Sequence, residues 1–124
     1  MDKEVAVQSL TDTMAKFTSY IGKRLPKDVK VKLAELRTLE TSPPVSYTHL
    51  TLPDNQEAAD KLDRPSCQDT GVIQYFVEAG ANFPLLGELE EILREATEVA
   101  TRIGPLRHNA VETFDEKNTG TNTG

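Results

Sequence analysis

The clearest element of the sequence is a helix in residues 85–103, LLGELEEILREATEVATRI. Apolar side chains recur there at spacings of three and four residues, which places them on one broad face of a helix. These residues are Leu85, Leu86, Leu89, Ile92, Leu93, Ala96, Val99, Ala100 and Ile103. Gly104 and Pro105 follow, as expected where a helix ends. The pattern predicts a long helix that packs along one side.

The first forty residues show the same periodicity in two shorter stretches. Residues 27–41 carry apolar side chains at helical spacing beside a charged face. In residues 3–25 the same spacing predicts one apolar stripe, formed by Val7, Leu10, Met14, Phe17, Ile21 and Leu25. Pro26 separates the two, and proline is well suited to a first helical turn. The sequence therefore predicts two amphipathic helices joined as a hairpin.

Two segments depart from this helical style. Residues 42–53, SPPVSYTHLTLP, have prolines at both ends, which predicts an extended loop or an edge strand. Residues 71–77, GVIQYFV, are rich in β-branched and aromatic side chains, which predicts a buried strand near 72–78. The expected fold class is a helix-rich α/β domain.

Composition excludes several classes of protein. The chain of 124 residues is the length of one domain, and its 20 acidic against 14 basic residues disfavour a nucleic-acid or anionic-membrane partner. No apolar run approaches the ~20 residues that span a bilayer. The single cysteine cannot form an internal disulfide, which favours a reducing, cytoplasmic setting.

The densest group of reactive side chains is PSCQDTG, residues 65–71, on a short connection before the predicted strand. A thiol, an amide, a carboxylate and a hydroxyl stand there in consecutive positions, and loops held by rigid elements often carry sites. A buried structural role for Cys67 is one reading. A nucleophilic cysteine with His108 or His49 as its base is another, although no spacing favours it.

Four motifs in a fixed order resemble the iron–sulfur hydro-lyases, the family of L(+)-tartrate dehydratase alpha subunits and class I fumarate hydratases. They are CQDTG at 67–71, FPLLGEL at 83–89, PLRHNAV at 105–111 and FDEKNTG at 114–120. The run at 105–111 points to the tartrate dehydratase branch more than to the fumarate hydratases. The resemblance covers nearly the whole chain apart from residues 43–53.

The resemblance implies a [4Fe–4S] cluster for which Cys67 is the first of three cysteine ligands. It implies that Gln68 and Asp69 contact the substrate, that Asp69 orients or assists the catalytic base, and that Arg107 binds a substrate carboxylate. The implied reaction is dehydration of a 2-hydroxy dicarboxylate, L-tartrate to oxaloacetate. The implied partner is a beta subunit or a C-terminal beta-type domain.

Three further expectations follow from departures from the family pattern. One cysteine cannot hold a cubane cluster, so residues 1–124 are expected to be the N-terminal part of a larger catalytic domain and inactive alone. Residues 43–53 resemble a translated sequencing adaptor and are expected to be foreign to the protein, with no function for Tyr47 or His49. The polar residues 118–124 are expected to be a frayed terminus or a loop near the site.

Two alternatives remain open at this point. A class I fumarate hydratase, which interconverts fumarate and malate, would use the same residues. A non-catalytic helical interaction domain, with Cys67 merely buried, would use none of them.

Overall fold

Four α-helices make up most of the described chain. The computed structural model describes residues 2–66 and 71–123. The helices are α1 (Lys3–Lys23), α2 (Lys27–Leu39), α3 (Pro43–Leu62) and α4 (Leu89–Ile103), with a 3₁₀ turn at Leu86–Glu88 before α4. Three of the four, α1, α2 and α4, lie where the sequence predicted helices, to within about one turn at each end.

The main packing interface joins α1 to α4 through small side chains. Ala15 of α1 and Ala96 and Ala100 of α4 are at most 1% exposed. The hydroxyl residues buried on the same two helices are Thr11, Thr18, Ser19, Thr97 and Thr101. Side chains of this size let two helices approach closely, because little volume separates the backbones.

Two large apolar side chains of α1 lie outside this interface. Phe17 is 54% exposed and Ile21 is 52% exposed, although the periodicity assigned both to the predicted buried stripe. The three-residue and four-residue spacing correctly predicts the helix. It does not show which of two neighbouring faces a partner helix contacts, and here the face of small residues makes that contact.

Gly104 is required for the close approach of α1 to the end of α4. A Cβ atom at this position would lie 2.8 Å from the carbonyl oxygen of Ala100 and 2.9 Å from Oγ of Ser19. The backbone N–H of Gly104 donates to that same Ala100 carbonyl at 2.8 Å. Its φ is −92°, so glycine serves here for space and not for a left-handed conformation.

The prediction of an extended loop or edge strand over residues 42–53 is wrong. Helix α3 begins at Pro43, after Ser42, and contains Pro53 in its interior. Prolines at the first helical positions remove backbone donors that have no intrahelical partner in any case, so the Pro43–Pro44 pair begins this helix. The helix does not test where the segment comes from, and its foreign origin stays a prediction.

Gln56 fixes α3 to the junction between α1 and α2. Its side chain is 3% exposed; Oε1 accepts from the backbone N–H of Leu25 at 2.6 Å and Nε2 donates to the carbonyl of Lys23 at 2.6 Å. Lys23 also forms an ion pair with Asp63. A single amide therefore satisfies both backbone groups where the chain leaves α1.

The predicted buried strand near 72–78 is also wrong. Among the described residues there is no β-strand, and the pairing outside the helices is one antiparallel bridge between Val111 and Asn118. Val72 is 84% exposed and Phe76 is 92% exposed. The β-propensity of such residues reflects packing on a pleated sheet, and no neighbouring strand is present among the residues described. The fold is nearly all-helical.

Tyr75 holds residues 71–80 against the helix pair. Its hydroxyl lies 2.9 Å from Oγ1 of Thr18 on α1 and 3.1 Å from Oγ1 of Thr97 on α4. Both threonines belong to the buried interface. This contact fixes Tyr75 beside both helices, and residues 76–80 line a cavity together with Leu10 of α1 and Ile92 of α4.

Candidate functional site

The sequence-predicted site residues divide into two groups. Cys67, Gln68 and Asp69 lie outside the described residues, so their ligand and substrate roles stay predictions. Arg107 is described, and its side chain is exposed. The residues on either side of 67–70, Ser66 and Gly71, are described.

Gly71 joins the first motif to the third. Its carbonyl oxygen accepts a hydrogen bond from Nδ2 of Asn109 at 3.2 Å. Gly71 has φ of 65°, a left-handed conformation that glycine adopts without steric cost. Gly71 and Asn109, 38 positions apart in the sequence, are therefore adjacent in the structure.

The backbone of residues 106–110 is held by the end of α4 and by Asn122. Leu106 is 5% exposed, and its N–H donates to the carbonyl of Thr101 at 3.2 Å. Oδ1 of Asn122 accepts from the N–H of Asn109 at 2.7 Å, and its Nδ2 donates to the carbonyl of Arg107 at 3.0 Å. These bonds fix the backbone on which the Arg107 side chain is carried.

The fourth motif continues this network as a hairpin. The N–H of Thr119 donates to the carbonyl of Ala110 at 3.1 Å, beside the Val111–Asn118 bridge. Nδ2 of Asn118 donates to the carbonyl of His108 at 2.6 Å. The described residues 118–123 are therefore attached to the third motif, and their place near a substrate stays a prediction.

A cavity of about 330 Å³ lies where these segments meet. It is lined by Gly71, Val72, Ile73, Asn109, Ala110, Val111 and Asn122. The lining therefore combines the last residue of CQDTG and the two residues after it with the third motif and with Asn122, beyond the fourth motif. Its size and amide-bearing wall suit a small polar ligand.

Arg107 and His108 follow one another on the exposed side of the same backbone. The carbonyls of both residues are bonded to amides, Arg107 to Asn122 and His108 to Asn118. Gly120, with φ of 74°, passes His108 so closely that a Cβ there would lie 3.9 Å from Nδ1. The two side chains thus extend from a backbone whose carbonyls are fixed on both sides.

Sequence reasoning missed the asparagines that build this site. Asn109, Asn118 and Asn122 each bond a backbone group of another motif. Asn122 has φ of 60°, in the left-handed region that asparagine tolerates better than most residues. The available signal was the repeated asparagine in NTGTN at 118–122, which is typical of side chains that bond nearby backbone.

Neither a metal-binding cluster nor a membrane span is evident in the described chain. Over residues 2–66 and 71–123, no group of three or more His, Cys, Asp or Glu side chains is close enough to hold a metal ion. None of the helices in those ranges is both long and apolar enough to cross a membrane.

Comparison with known proteins gives these motifs a family. The model of the fumarate hydratase (Fumerase) family matches residues 11–124. The L(+)-tartrate dehydratase subunits alpha of Escherichia coli (strain K12) and Shigella sonnei (strain Ss046) are each 53% identical over 123 residues, 99% of this chain. A relative from Methanocaldococcus jannaschii, whose name also refers to an L(+)-tartrate dehydratase subunit alpha, is 36% identical over 103 residues, 81% of this chain.

The two bacterial relatives are longer proteins. The match covers 41% of each of them, and it covers 36% of the archaeal relative. The matched region nevertheless includes all four motifs, since it runs through almost the entire sequence. The chain belongs to the fumarate hydratase family.

Proposed function

We propose that this chain is the N-terminal part of an alpha-type hydro-lyase subunit whose full-length form dehydrates L-tartrate to oxaloacetate. The observation that carries the proposal is the hydrogen bond from Asn109 to Gly71, because it joins the last residue of CQDTG to the PLRHNAV motif, and both residues line one cavity. The names of the 53% identical relatives support tartrate as the substrate.

The donor set of the chain fits one corner of an iron–sulfur cluster. The sequence has a single cysteine, Cys67, and thiolates are the usual ligands of such clusters. One thiol is one ligand, so we propose that the remaining ligands come from polypeptide beyond these 124 residues. When bound, a cluster with three thiolate ligands supplies one open iron as a Lewis acid for the leaving hydroxyl.

Arg107 is proposed to bind a carboxylate of the substrate. Its planar guanidinium can donate two parallel hydrogen bonds to a carboxylate, which fixes both position and orientation. The backbone carbonyl of Arg107 is held by Asn122, so the base of the side chain has a defined position. This arrangement suits a dicarboxylate that has to be oriented before a proton is removed.

Gln68 and Asp69 are proposed to act at the reacting carbons. The amide of Gln68 can donate to a substrate oxygen, and the carboxylate of Asp69 can orient or assist the base that removes the carbon-bound proton. Loss of that proton and of hydroxide from L-tartrate leaves an enol, which tautomerises to oxaloacetate. The reaction therefore releases one water molecule for each tartrate.

A class I fumarate hydratase is the second candidate, favoured by the description of the family model itself. The same residues would then serve fumarate and malate. A beta subunit is proposed as the partner, because the bacterial relatives are named as alpha subunits.

The test uses the full-length alpha subunit with its beta partner, reconstituted anaerobically with iron and sulfide. We expect turnover of L-tartrate to exceed that of malate; the reverse order supports the fumarate hydratase. A cluster-loaded preparation that turns over neither contradicts both.

The cysteine ligand is tested by Cys67→Ser, with Ser66→Ala as the adjacent control. We expect Cys67→Ser to abolish the visible absorbance of the cluster and Ser66→Ala to retain it. An unchanged spectrum for Cys67→Ser would exclude Cys67 as a ligand.

A further inference from the structure

Both the oxygen and the nitrogen of the Asn122 side-chain amide form hydrogen bonds beside the cavity. Oδ1 accepts from the N–H groups of Asn109 at 2.7 Å and Ala110 at 3.4 Å. Nδ2 donates to the carbonyl of Arg107 at 3.0 Å and to Oγ1 of Thr101 at 3.1 Å. An amide has two donor hydrogens and an oxygen with two lone pairs, so all of its sites are engaged.

Thr101 connects this amide to the core. Its side chain belongs to a residue only 2% exposed on α4, and its hydroxyl donates to the carbonyl of Thr97 at 2.8 Å. The same Thr97 contacts the hydroxyl of Tyr75, which holds residues 71–80. A continuous set of hydrogen bonds therefore runs from the α1–α4 interface to the backbone of Arg107.

We propose that Asn122 is a positioning residue that sets the place of the Arg107 side chain relative to the cavity. The proposal rests on the proposed function, since it assigns Asn122 the task of presenting the carboxylate-binding group. The donor side of the amide holds the Arg107 carbonyl. The acceptor side holds Asn109, whose own side chain bonds Gly71.

Asn122→Asp removes the donor nitrogen of the amide and keeps the acceptor oxygen, with little change of shape. The carboxylate still accepts from Asn109, but it places an acceptor opposite the carbonyl of Arg107, where the wild type has a donor. The bond that fixes Arg107 is lost while the bond that fixes Asn109 remains. Asn55→Asp, on an exposed position of α3, adds the same charge without these partners.

In the full-length reconstituted enzyme we expect Asn122→Asp to raise KM for L-tartrate about tenfold, with a smaller effect on kcat. The equilibrium dissociation constant of L-tartrate, measured by calorimetry, should rise by a similar factor. Asn55→Asp should leave both constants unchanged. Wild-type kinetics and binding for Asn122→Asp would overturn the proposal.

A double variant separates positioning from a merely structural role. If Asn122 acts through Arg107, then Asn122→Asp combined with Arg107→Ala should bind tartrate no more weakly than Arg107→Ala alone. Additive losses would mean that Asn122 acts independently, which contradicts the proposal.

Asn122→Gly covers the case in which the aspartate variant does not fold. Glycine accepts the left-handed backbone at φ 60° and removes the amide altogether. It should retain the cluster spectrum and show the same tenfold loss of tartrate affinity. If both variants lose the cluster spectrum, the amide is needed for folding and the positioning role is rejected. A wild-type enzyme that turns over neither tartrate nor malate contradicts the proposed function, whereas an active wild type with unaffected variants contradicts this inference alone.

Discussion

The α1–α4 pair and residues 105–123 are both well fixed, but by different forces. The helix pair is held by side chains as small as alanine and threonine that are almost fully buried. Residues 105–123 have few buried side chains and are held by asparagine amides bonded to backbone groups. The helices therefore set the frame by packing, whereas the loops that carry the candidate site residues depend on individual hydrogen bonds.

The largest effect on the free energy of unfolding is expected in the packed interface between α1 and α4. Ala96 is fully buried between α1 and α4, so Ala96→Leu adds three carbon atoms to an interface without space for them. Overpacking of this kind costs about 3 kcal/mol of the free energy of unfolding. Urea unfolding of the chain measures the loss.

Ala34→Leu is the matched control for this substitution, because Ala34 is exposed on α2. Its free energy of unfolding should change by less than about 0.5 kcal/mol. Equal effects of the two substitutions would show that the small residues are not what sets the distance between α1 and α4.

An intermediate effect is expected at Gln56, whose side-chain amide bonds backbone groups between helices, as the asparagine amides do in residues 105–123. Gln56→Leu leaves the N–H of Leu25 and the carbonyl of Lys23 without the partners they have at 2.6 Å. Part-buried backbone groups that lose their partners cost about 2 kcal/mol in total. The free energy of unfolding measures this, with Gln8→Leu on exposed α1 surface as the control.

A loss as small as that of Gln8→Leu would contradict this account of Gln56. It would mean that water replaces the Gln56 amide at the α1–α2 junction. Amide hydrogen bonds would then stabilise only the loops, and packing alone would stabilise the helices.

The sequence predicted α1, α2 and α4 because their apolar residues recur with the period of a helix. It missed the face on which α1 packs, since Ala15 and Thr18 carry little hydrophobic signal beside Phe17 and Ile21. It missed the first part of α3, residues 43–53, because prolines at 43 and 44 are also typical of an extended chain, although here they stand in the first turn of the helix.

For the site, motif order predicted more than any local pattern did. The resemblance assigns Arg107 and the CQDTG motif to one substrate, and the Asn109–Gly71 bond joins the last residue of that motif to the segment that carries Arg107. No periodicity identifies Asn122, because its role depends on where α4 ends and where residues 107–110 pass it. The roles of Cys67, Gln68 and Asp69 stay predictions.

The smallest effect is expected at residues 71–80, where the two regions meet. Tyr75→Phe removes the hydroxyl that contacts Thr18 and Thr97 but keeps the ring. Each such hydrogen bond contributes about 0.5–1.5 kcal/mol. Part of the loss is offset, because the Thr97 hydroxyl also donates to the carbonyl of Leu93. We expect the free energy of unfolding to fall by about 1 kcal/mol.

Phe76→Ala is the control for Tyr75→Phe. Phe76 is 92% exposed, so its removal should cost less than about 0.5 kcal/mol, well under the cost at Tyr75. If residues 72–78 formed the buried strand that their composition predicts, the order would be reversed, because losing a buried phenylalanine costs about 3–5 kcal/mol. Urea unfolding of the two variants side by side therefore decides whether one tyrosine hydroxyl or a packed strand attaches this segment to the helices.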